Sequence, residues 1–285
     1  MKFFITGVNG QLGYDIKNEL LERGYTDILA PTRMELDITD EDAVKKMVLM
    51  YRPSVIFHCA AYTAVDKAED EKEKCYQVNV LGTKYLVEVA REVGAKVIYV
   101  STDYVFDGTK DGIYQVEDKV NPINYYGETK YLGENFVREY DNHIIVRISW
   151  VFGLHGKNFI KTMLNLADTH KELNVVCDQI GSPTYTKDLA HLLVNMFLSN
   201  VKGLYHATNE GYCSWYEFAE FIFKESHKKV KVRPILTKDY KTVAKRPMNS
   251  KLSKESLDYA DMKRLPEWQD AVKRYIRELK KEGIK

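Results

Sequence analysis

The sequence predicts an α/β protein: a Rossmann-like doubly wound parallel sheet with a smaller C-terminal substrate-binding domain. Two observations support this fold class. The chain opens with an apolar run, a glycine-rich turn and a helical apolar spacing, and short apolar strands then alternate with helices. Such alternation implies parallel strands joined by right-handed crossovers. We expect residues 1–152 to form a nucleotide-binding domain, completed by parts of 174–206, and residues 153–285 to form most of the substrate-binding domain.

The opening turn contains three glycines, Gly7, Gly10 and Gly13, each separated from the next by two residues. They follow the strand-like run Phe3-Phe4-Ile5 and lead into a helix-like segment. Glycine permits the positive φ and close backbone approach that such a turn needs, and the following helix directs its free N–H groups and dipole at a phosphate. A glycine triplet also occurs in ordinary strand-to-helix turns, but in this context it indicates an NAD(P)-binding domain.

Composition excludes several classes of protein. The 285 residues carry a net charge of +1, 45% of them are hydrophobic and 29% are charged. This charge provides no field that would gather nucleic acid, and no apolar run approaches the ~20 residues of a transmembrane helix. The four cysteines contain no Cys-x-x-Cys pair, and the N-terminus shows no signal-peptide pattern. We expect a cytoplasmic protein that binds neither nucleic acid nor membrane.

The second predicted strand, Asp27–Ala30, is followed by Thr32 and Arg33. Dinucleotide folds often place an Asp or Glu here, against the ribose hydroxyls of the adenosine. An arginine suits a 2′-phosphate instead, because its guanidinium is a permanently charged donor. We therefore predict NADPH as the cofactor, with NADH tolerated. A solvated surface arginine is the alternative interpretation of Arg33.

The carboxyl ends of the next two strands supply the centre of the predicted site. Residues 55–61 form a strand-like run that ends in Ala60 and Ala61, which are small enough for a cofactor to approach, although tight packing alone would also explain them. A long helix is predicted from Glu69 to Val93, and the strand after it delivers Thr102. Because ligands of parallel sheets bind beyond the carboxyl ends of the strands, topology places Thr102 at the reaction site.

Tyr126 and Lys130 lie one turn apart on a predicted helix and so share a face. A tyrosine pKa near 10 is too high for fast proton exchange at neutral pH, and a nearby ammonium group lowers it. The Thr102 hydroxyl would hold the carbonyl oxygen that Tyr126 protonates. A helical tyrosine packed on a lysine stem is the alternative, but it leaves the coincidence with Thr102 and the glycine turn unexplained.

Further motifs extend over most of the chain. Ser101-Thr102-Asp103-Tyr104-Val105-Phe106-Asp107-Gly108 is the most specific of them, and others lie at residues 7–13, 36–40, 60–66, 79–83, 147–152 and 179–184, with the pair Arg246-Pro247 near the end. Together they resemble the motifs of the extended short-chain dehydrogenase/reductases, and most of all those of the dTDP-4-dehydrorhamnose reductase family. The Tyr126–Lys130 pair is shared by the whole superfamily.

The resemblance implies reduction of the C4 ketone of dTDP-4-dehydro-β-L-rhamnose to dTDP-L-rhamnose by hydride transfer from NAD(P)H. It implies that Tyr126 protonates the oxygen, that Lys130 tunes Tyr126 and holds the nicotinamide ribose, and that Thr102 polarises the carbonyl. The remaining implied contacts are Gly7, Asn9, Gly10, Gln11, Leu12 and Gly13 with the pyrophosphate, Arg33, Asp37 and Ile38 with the adenosine, Ala60, Ala61 and Tyr62 with the nicotinamide half, and Asp103, Trp150 and Arg246 with the dTDP-sugar.

The resemblance also bears on metals and partners. Some members of the family dimerise around magnesium held by acidic side chains. Asp15 matches one such position, whereas Lys187-Asp188 matches a later one poorly. We predict no metal requirement, and a homodimer is compatible with the resemblance. For Arg246, assigned to the substrate diphosphate by its charge and place, a plain surface salt bridge is the alternative.

Two other functions fit the same residues. A reductase or epimerase of another nucleotide 4-keto sugar would use the same chemistry, because pocket shape selects the sugar. A non-catalytic, nucleotide-sensing regulatory subunit would use the same fold, but it has no need of Thr102, Tyr126 and Lys130 together. A panel of substrates separates the first alternative from the main prediction, and loss of turnover in Tyr126→Phe excludes the second.

Overall fold

The main sheet has six parallel strands in the computed structural model, which describes residues 1–283. Successive residues of a strand face opposite sides of a sheet, so Phe3 and Ile5 pack in one layer and Phe4 packs in the other. The two layers confirm the predicted doubly wound α/β fold class. The last two residues of the predicted 153–285 unit lie outside the described residues. From one edge to the other, the strands are Gly203–His206, His143–Ile148, Lys96–Thr102, Val55–His58, Phe3–Thr6 and Ile28–Leu29.

Helices cover both faces of this sheet. Gln11–Glu22 and Thr186–Leu198 bury apolar side chains on one face, and Glu41–Tyr51 and Gly82–Val93 do so on the other. Across residues 1–283, the helices are too short or too polar to cross a bilayer. The remaining helices are Val65–Ala68, Lys72–Tyr76, Tyr125–Arg138, Phe159–Ala167, Trp215–Ser226, Glu255–Tyr259 and Trp268–Lys281, with 3₁₀ turns at Asp103–Val105 and Thr237–Asp239.

The long helix predicted from Glu69 begins at residue 72 and is divided by a π-helical turn, Gln77–Leu81. The cause is tertiary. Asn79 in this turn accepts a hydrogen bond from the backbone N of Tyr62 over 2.8 Å and donates one to the Thr129 hydroxyl over 3.0 Å. π-Turns often occur near functional sites, because the extra residue turns a side chain toward a neighbouring element. The predicted long helix is thus confirmed over residues 72–93, whereas the π-helical turn within it could not be predicted from apolar periodicity.

The second half of the chain contributes a separate core and three short two-stranded sheets. Its largest buried side chains include Phe152, Phe218, Trp268 and Tyr275. Pro234, which cannot donate to a ladder, predicts an edge strand over residues 230–235, and the structure has a strand at Lys231–Ile235 with a single partner. The three sheets are Val151–Phe152 with Thr184–Tyr185, Glu172–Val176 with Lys231–Ile235, and Ile180–Gly181 with Cys213–Ser214, of which only the last is antiparallel.

Candidate active site

A cavity of about 680 Å³ lies beyond the carboxyl ends of the main strands. Strands Phe3–Thr6, Lys96–Thr102 and His143–Ile148 each end in its wall. Of the predicted site residues, only Asn9 and Arg246 do not line it. Those that do are Gly7, Gly10, Gln11, Leu12, Gly13, Arg33, Asp37, Ile38, Ala60, Ala61, Tyr62, Thr102, Asp103, Tyr126, Lys130 and Trp150. The structure thus brings together residues that are up to 143 positions apart in the chain (150 − 7).

The glycine turn leaves room for a phosphate at the start of helix Gln11–Glu22. Gly10 is the N-cap residue and makes no side-chain capping bond, so the first N–H groups of the helix have no partner within it. Gly7 has a φ of +73°, and a Cβ added at Gly13 would lie only 2.4 Å from the Gly7 carbonyl oxygen. Unpaired N–H groups at a positive helix end suit a pyrophosphate. The turn therefore fits a dinucleotide cofactor.

Arg33 and Asp37 form an ion pair at the predicted adenosine end of the cavity. Arg33 Nη2 donates to Asp37 Oδ2 over 3.3 Å, and 69% of the Arg33 side chain is exposed. Asp37 Oδ1 accepts further bonds from the backbone N and the hydroxyl of Thr39, at 3.0 and 2.8 Å. Asp37 is thus fixed by its own turn, whereas most of the Arg33 guanidinium stays open to a ligand.

The wall beside Ala60 is fastened to the sheet by a buried chain of hydrogen bonds. The Ala60 backbone N donates to the Thr6 hydroxyl over 3.1 Å, and the His58 ring contacts the hydroxyls of Thr6 and Thr83 at 2.9 and 3.0 Å. Burial lowers the pKa of His58 to about 3, and the charge of Lys130 adds to this effect. His58 is therefore a neutral structural group that holds Ala60 in place.

Thr102 and Tyr126 enter the cavity from two different elements. Thr102 is the last residue of its strand, where its hydroxyl donates to Asp103 Oδ1 over 2.9 Å and accepts from the backbone N of Tyr104 over 3.2 Å. Tyr126 lies in the first turn of helix Tyr125–Arg138, which begins because the Asn124 side chain accepts from the Gly127 backbone N. The local sequence therefore determines where each group enters the cavity.

Burial raises the pKa of Tyr126, the Asp103 carboxylate raises it further, and the Thr102 hydroxyl acts in the opposite direction. The sequence analysis expected the Lys130 ammonium to lower the pKa of Tyr126, so the direction of the shift differs from that expectation. The Lys130 ammonium donates instead to the Val100 carbonyl oxygen, over 2.8 Å, and burial lowers its own pKa to about 7. A phenol with a raised pKa stays protonated at neutral pH, and this is the form that donates a proton.

The predicted substrate side is built from both halves of the chain. Asp103 is buried, and its Oδ2 accepts a hydrogen bond from the Ser250 hydroxyl over 2.6 Å. Burial raises the pKa of Asp103 to about 6. Trp150 has a left-handed φ of +49°, and its ring stacks on Trp215 at a centroid distance of 3.7 Å. Stacking on Trp215 holds this strained residue against the cavity.

Arg246 lies behind the cavity wall rather than in it. Its guanidinium binds Asp66 through two bonds, Nη1 to Oδ1 over 3.1 Å and Nη2 to Oδ2 over 2.7 Å. Burial raises the pKa of Tyr104, and the Arg246 guanidinium acts in the opposite direction, so the two side chains are neighbours. Tyr104 does line the cavity and packs edge-on against Tyr126, at a centroid distance of 5.6 Å. Arg246 thus contacts the site through Tyr104.

The residues considered for magnesium have other partners. Asp15 accepts a hydrogen bond from the Thr186 hydroxyl, and Lys187 pairs with Glu278 over 3.3 Å. Asp188 pairs with Arg274 instead. Within residues 1–283, no group of three or more His, Cys, Asp or Glu side chains is arranged to hold a metal ion. That the protein needs no metal stays a prediction.

Several residues around the cavity were missed by the sequence analysis. Tyr104 follows the strand end inside the most specific motif, so its position was a usable signal. Asp66 ends the motif at residues 60–66, so its position was a usable signal as well. Ser250 and Trp215 offered none, because each reaches the site through a contact between distant parts of the chain.

Comparison with known proteins identifies the family. The family described as RmlD substrate binding domain matches residues 1–281. The dTDP-4-dehydrorhamnose reductase of Aggregatibacter actinomycetemcomitans is 42% identical, and the alignment covers 95% of this chain and 97% of the relative. A crystal structure of a dTDP-4-dehydrorhamnose reductase from Clostridium acetobutylicum has a TM-score of 0.96 at 42% identity, over 98% of this chain and all of that one.

A second solved structure contains a cofactor. The dTDP-4-dehydrorhamnose reductase of Bacillus anthracis, solved in complex with NADP, has a TM-score of 0.94 at 41% identity, over 98% of this chain and 100% of that one. The matches extend along nearly the whole chain. The chain belongs to the RmlD substrate binding domain family, together with these dTDP-4-dehydrorhamnose reductases.

Proposed function

We propose that this protein reduces the C4 ketone of dTDP-4-dehydro-β-L-rhamnose to dTDP-L-rhamnose with NADPH, and that it tolerates NADH. One observation carries the proposal: a single cavity is lined by the glycine turn and by Thr102, Tyr126 and Lys130. The names of the relatives support the choice of substrate, and the NADP in the Bacillus anthracis structure supports the choice of cofactor.

Each group has a distinct task in this reaction. The helix that begins after Gly10 holds the pyrophosphate, and the bound NADPH supplies the hydride. Tyr126 donates its proton to the carbonyl oxygen, and the Lys130 ammonium stabilises the phenolate that remains. The Thr102 hydroxyl, which donates to Asp103 Oδ1 in the structure, polarises the carbonyl by turning its hydrogen to the carbonyl oxygen when the substrate binds. The dTDP-sugar lies against Trp150 and Asp103, beside Ser250 from the second half of the chain.

The decisive experiment compares two sugar nucleotides. NADPH oxidation is followed after addition of dTDP-4-dehydrorhamnose or of dTDP-4-keto-6-deoxyglucose. We expect kcat/KM to be at least about tenfold higher with the first, because pocket contacts distinguish sugars by amounts of this size. A preference for the second would assign another 4-keto sugar. Turnover of neither, with intact NADPH binding, would indicate a nucleotide-sensing protein.

Replacing Arg33 by Ala should raise the KM for NADPH about tenfold more than the KM for NADH, because the charge-assisted bonds to the 2′-phosphate are lost. Initial rates with both cofactors measure this ratio. Arg233→Ala is the matched control, because Arg233 is similarly exposed and also pairs with a carboxylate, that of Glu172. Equal effects of Arg33→Ala on both cofactors would refute the 2′-phosphate role.

We propose that Arg246, which does not line the cavity here and pairs with Asp66, turns to the diphosphate when the dTDP-sugar binds. Replacing Arg246 by Ala should then raise the KM for the dTDP-sugar by about 10–100-fold, because a charged bond to the diphosphate contributes about 1.5–3 kcal/mol. The KM for NADPH should change little. Arg264→Ala is the control, because Arg264 also makes a two-point pair with a carboxylate, that of Asp258, elsewhere in the chain. If Arg246→Ala leaves the KM for the sugar nucleotide unchanged, Arg246 does not bind the diphosphate and its role is limited to the ion pair with Asp66.

A further inference from the structure

The Lys130 ammonium lies over the face of the Tyr99 ring. The Lys130 Nζ is 4.0 Å from the ring centroid, and it also donates to the Val100 carbonyl oxygen over 2.8 Å. Tyr99 belongs to strand Lys96–Thr102, three residues before Thr102, and its side chain is fully buried. An aromatic face at this distance attracts a cation, and the attraction is strongest where water is excluded.

Tyr99 is fixed under Lys130 by close packing. The Tyr99 hydroxyl donates to the Lys130 carbonyl oxygen over 3.2 Å. Tyr99 therefore contacts Lys130 twice, at the backbone carbonyl through its hydroxyl and at the ammonium through its ring. A Cβ added at Gly133, one turn further along the helix, would lie 2.5 Å from the Tyr99 hydroxyl oxygen. The absence of a side chain at Gly133 therefore allows the helix to approach the ring this closely.

Four other titratable groups face Lys130, and among them Glu134 carries a negative charge that raises the pKa of Lys130 against the effect of burial. His58 and Cys59 approach from strand Val55–His58 and the residue after it, and burial keeps both neutral. Cys75 approaches from helix Lys72–Tyr76, and burial raises its pKa as well. Glu134, one turn along the helix, is ionised but already binds Arg147 with both of its oxygens. The Tyr99 ring is thus the surface against which the buried ammonium rests.

We propose that Tyr99 is a positioning residue for Lys130, and that its ring face holds the ammonium as a cation at the base of the cavity. The inference deepens the proposed function, in which Lys130 must be charged to stabilise the Tyr126 phenolate. The hydroxyl of Tyr99 contributes to the placement of the helix, whereas the ring contributes to the charge state of Lys130.

The test is a titration of Lys130 by NMR in the full chain without substrate. Lysines carry ¹³C at Cε, and the Lys130 signal is assigned from its absence in Lys130→Arg. In Tyr99→Phe, which keeps the ring, we expect the midpoint to stay close to that of the unmodified protein. In Tyr99→Leu it should fall by about one pH unit, because a desolvated cation–π contact is lost. Lys254, which lies over the Tyr212 ring at 4.3 Å, is the internal control and should titrate identically in all variants.

Tyr99→Leu could fail to fold, so a second series changes the charge of the ring face without changing its shape. Phenylalanine with one, two or three fluorine atoms is incorporated at position 99. The midpoint of Lys130 should fall stepwise as fluorine withdraws electrons from the ring face. A midpoint that stays constant along this series, or in a folded Tyr99→Leu, overturns the proposal. Neither NMR result depends on turnover. The reductase function is tested separately by NADPH oxidation, so failure of one proposal can be distinguished from failure of the other.

Discussion

Tyr126→Phe should lower kcat by about 10²–10⁴-fold, the range expected for loss of a positioned general acid. Only the hydroxyl is removed, and the ring keeps its edge-on packing against Tyr104. The phenol is protonated at neutral pH because burial raises its pKa. Its loss therefore removes the proton donor directly. Steady-state kinetics with NADPH and the dTDP-sugar measure the effect, and fluorescence titration shows whether the Kd for NADPH stays within about twofold.

Tyr125→Phe is the control for this experiment. Tyr125 is the preceding residue on the same helix, but its side chain does not line the cavity. It should retain the kcat of the unmodified protein. Turnover that persists unchanged in Tyr126→Phe would remove Tyr126 as the acid. An equal loss in both variants would show that the substitutions disturb the helix rather than the chemistry.

Glu134→Gln should lower the free energy of unfolding by about 3–5 kcal/mol, because it leaves the charge of a buried arginine without its partner. Glu134 and Arg147 are both fully buried, and Arg147 donates to the two carboxylate oxygens over 2.9 and 2.7 Å. The Ser101 hydroxyl donates to Glu134 as well. The desolvation that this pair has already undergone makes the loss of one member far more costly than the loss of a surface ion pair.

Urea unfolding measures this loss, and two further variants interpret it. Glu128→Gln changes an exposed carboxylate on the same helix and should alter the free energy of unfolding by less than about 0.5 kcal/mol. Glu134→Leu combined with Arg147→Met replaces the pair by apolar groups and should recover most of the stability, because no buried charge then lacks a partner. A Glu134→Gln protein as stable as the original would mean that water reaches this pair.

The sequence predicts well whatever depends on local pattern. A few consecutive residues are enough to predict each of three features: the glycine turn, the strand that ends at Thr102, and the pairing of Tyr126 with Lys130 on one helical face. Because parallel strands end at one edge of the sheet, these local predictions were enough to place the groups in one cavity. Their chemical roles stay predictions until the variants are measured.

Contacts between distant segments were beyond this kind of reasoning. Asp66 and Arg246 are 180 positions apart, and the two rings of Trp150 and Trp215 meet across the second half of the chain. The direction of the Tyr126 pKa shift was also out of reach, because burial and the nearby Asp103 carboxylate, which both raise the pKa, are defined only by the folded structure. Local periodicity carries none of these quantities.

Strand Gly203–His206 closes the sheet beside His143–Ile148, although some fifty positions of the second half separate the two. A protein shortened to residues 1–152 would lose this strand, and it would also lose helix Thr186–Leu198 from one face of the sheet. The backbone of strand His143–Ile148 would then form an unpaired sheet edge, and the apolar side chains of Ile144 and Val146 would lose their cover. Both changes promote aggregation. Residues 1–152 are consequently not sufficient as an independent unit, and a transfer of this segment to another protein must include residues 186–206 as well.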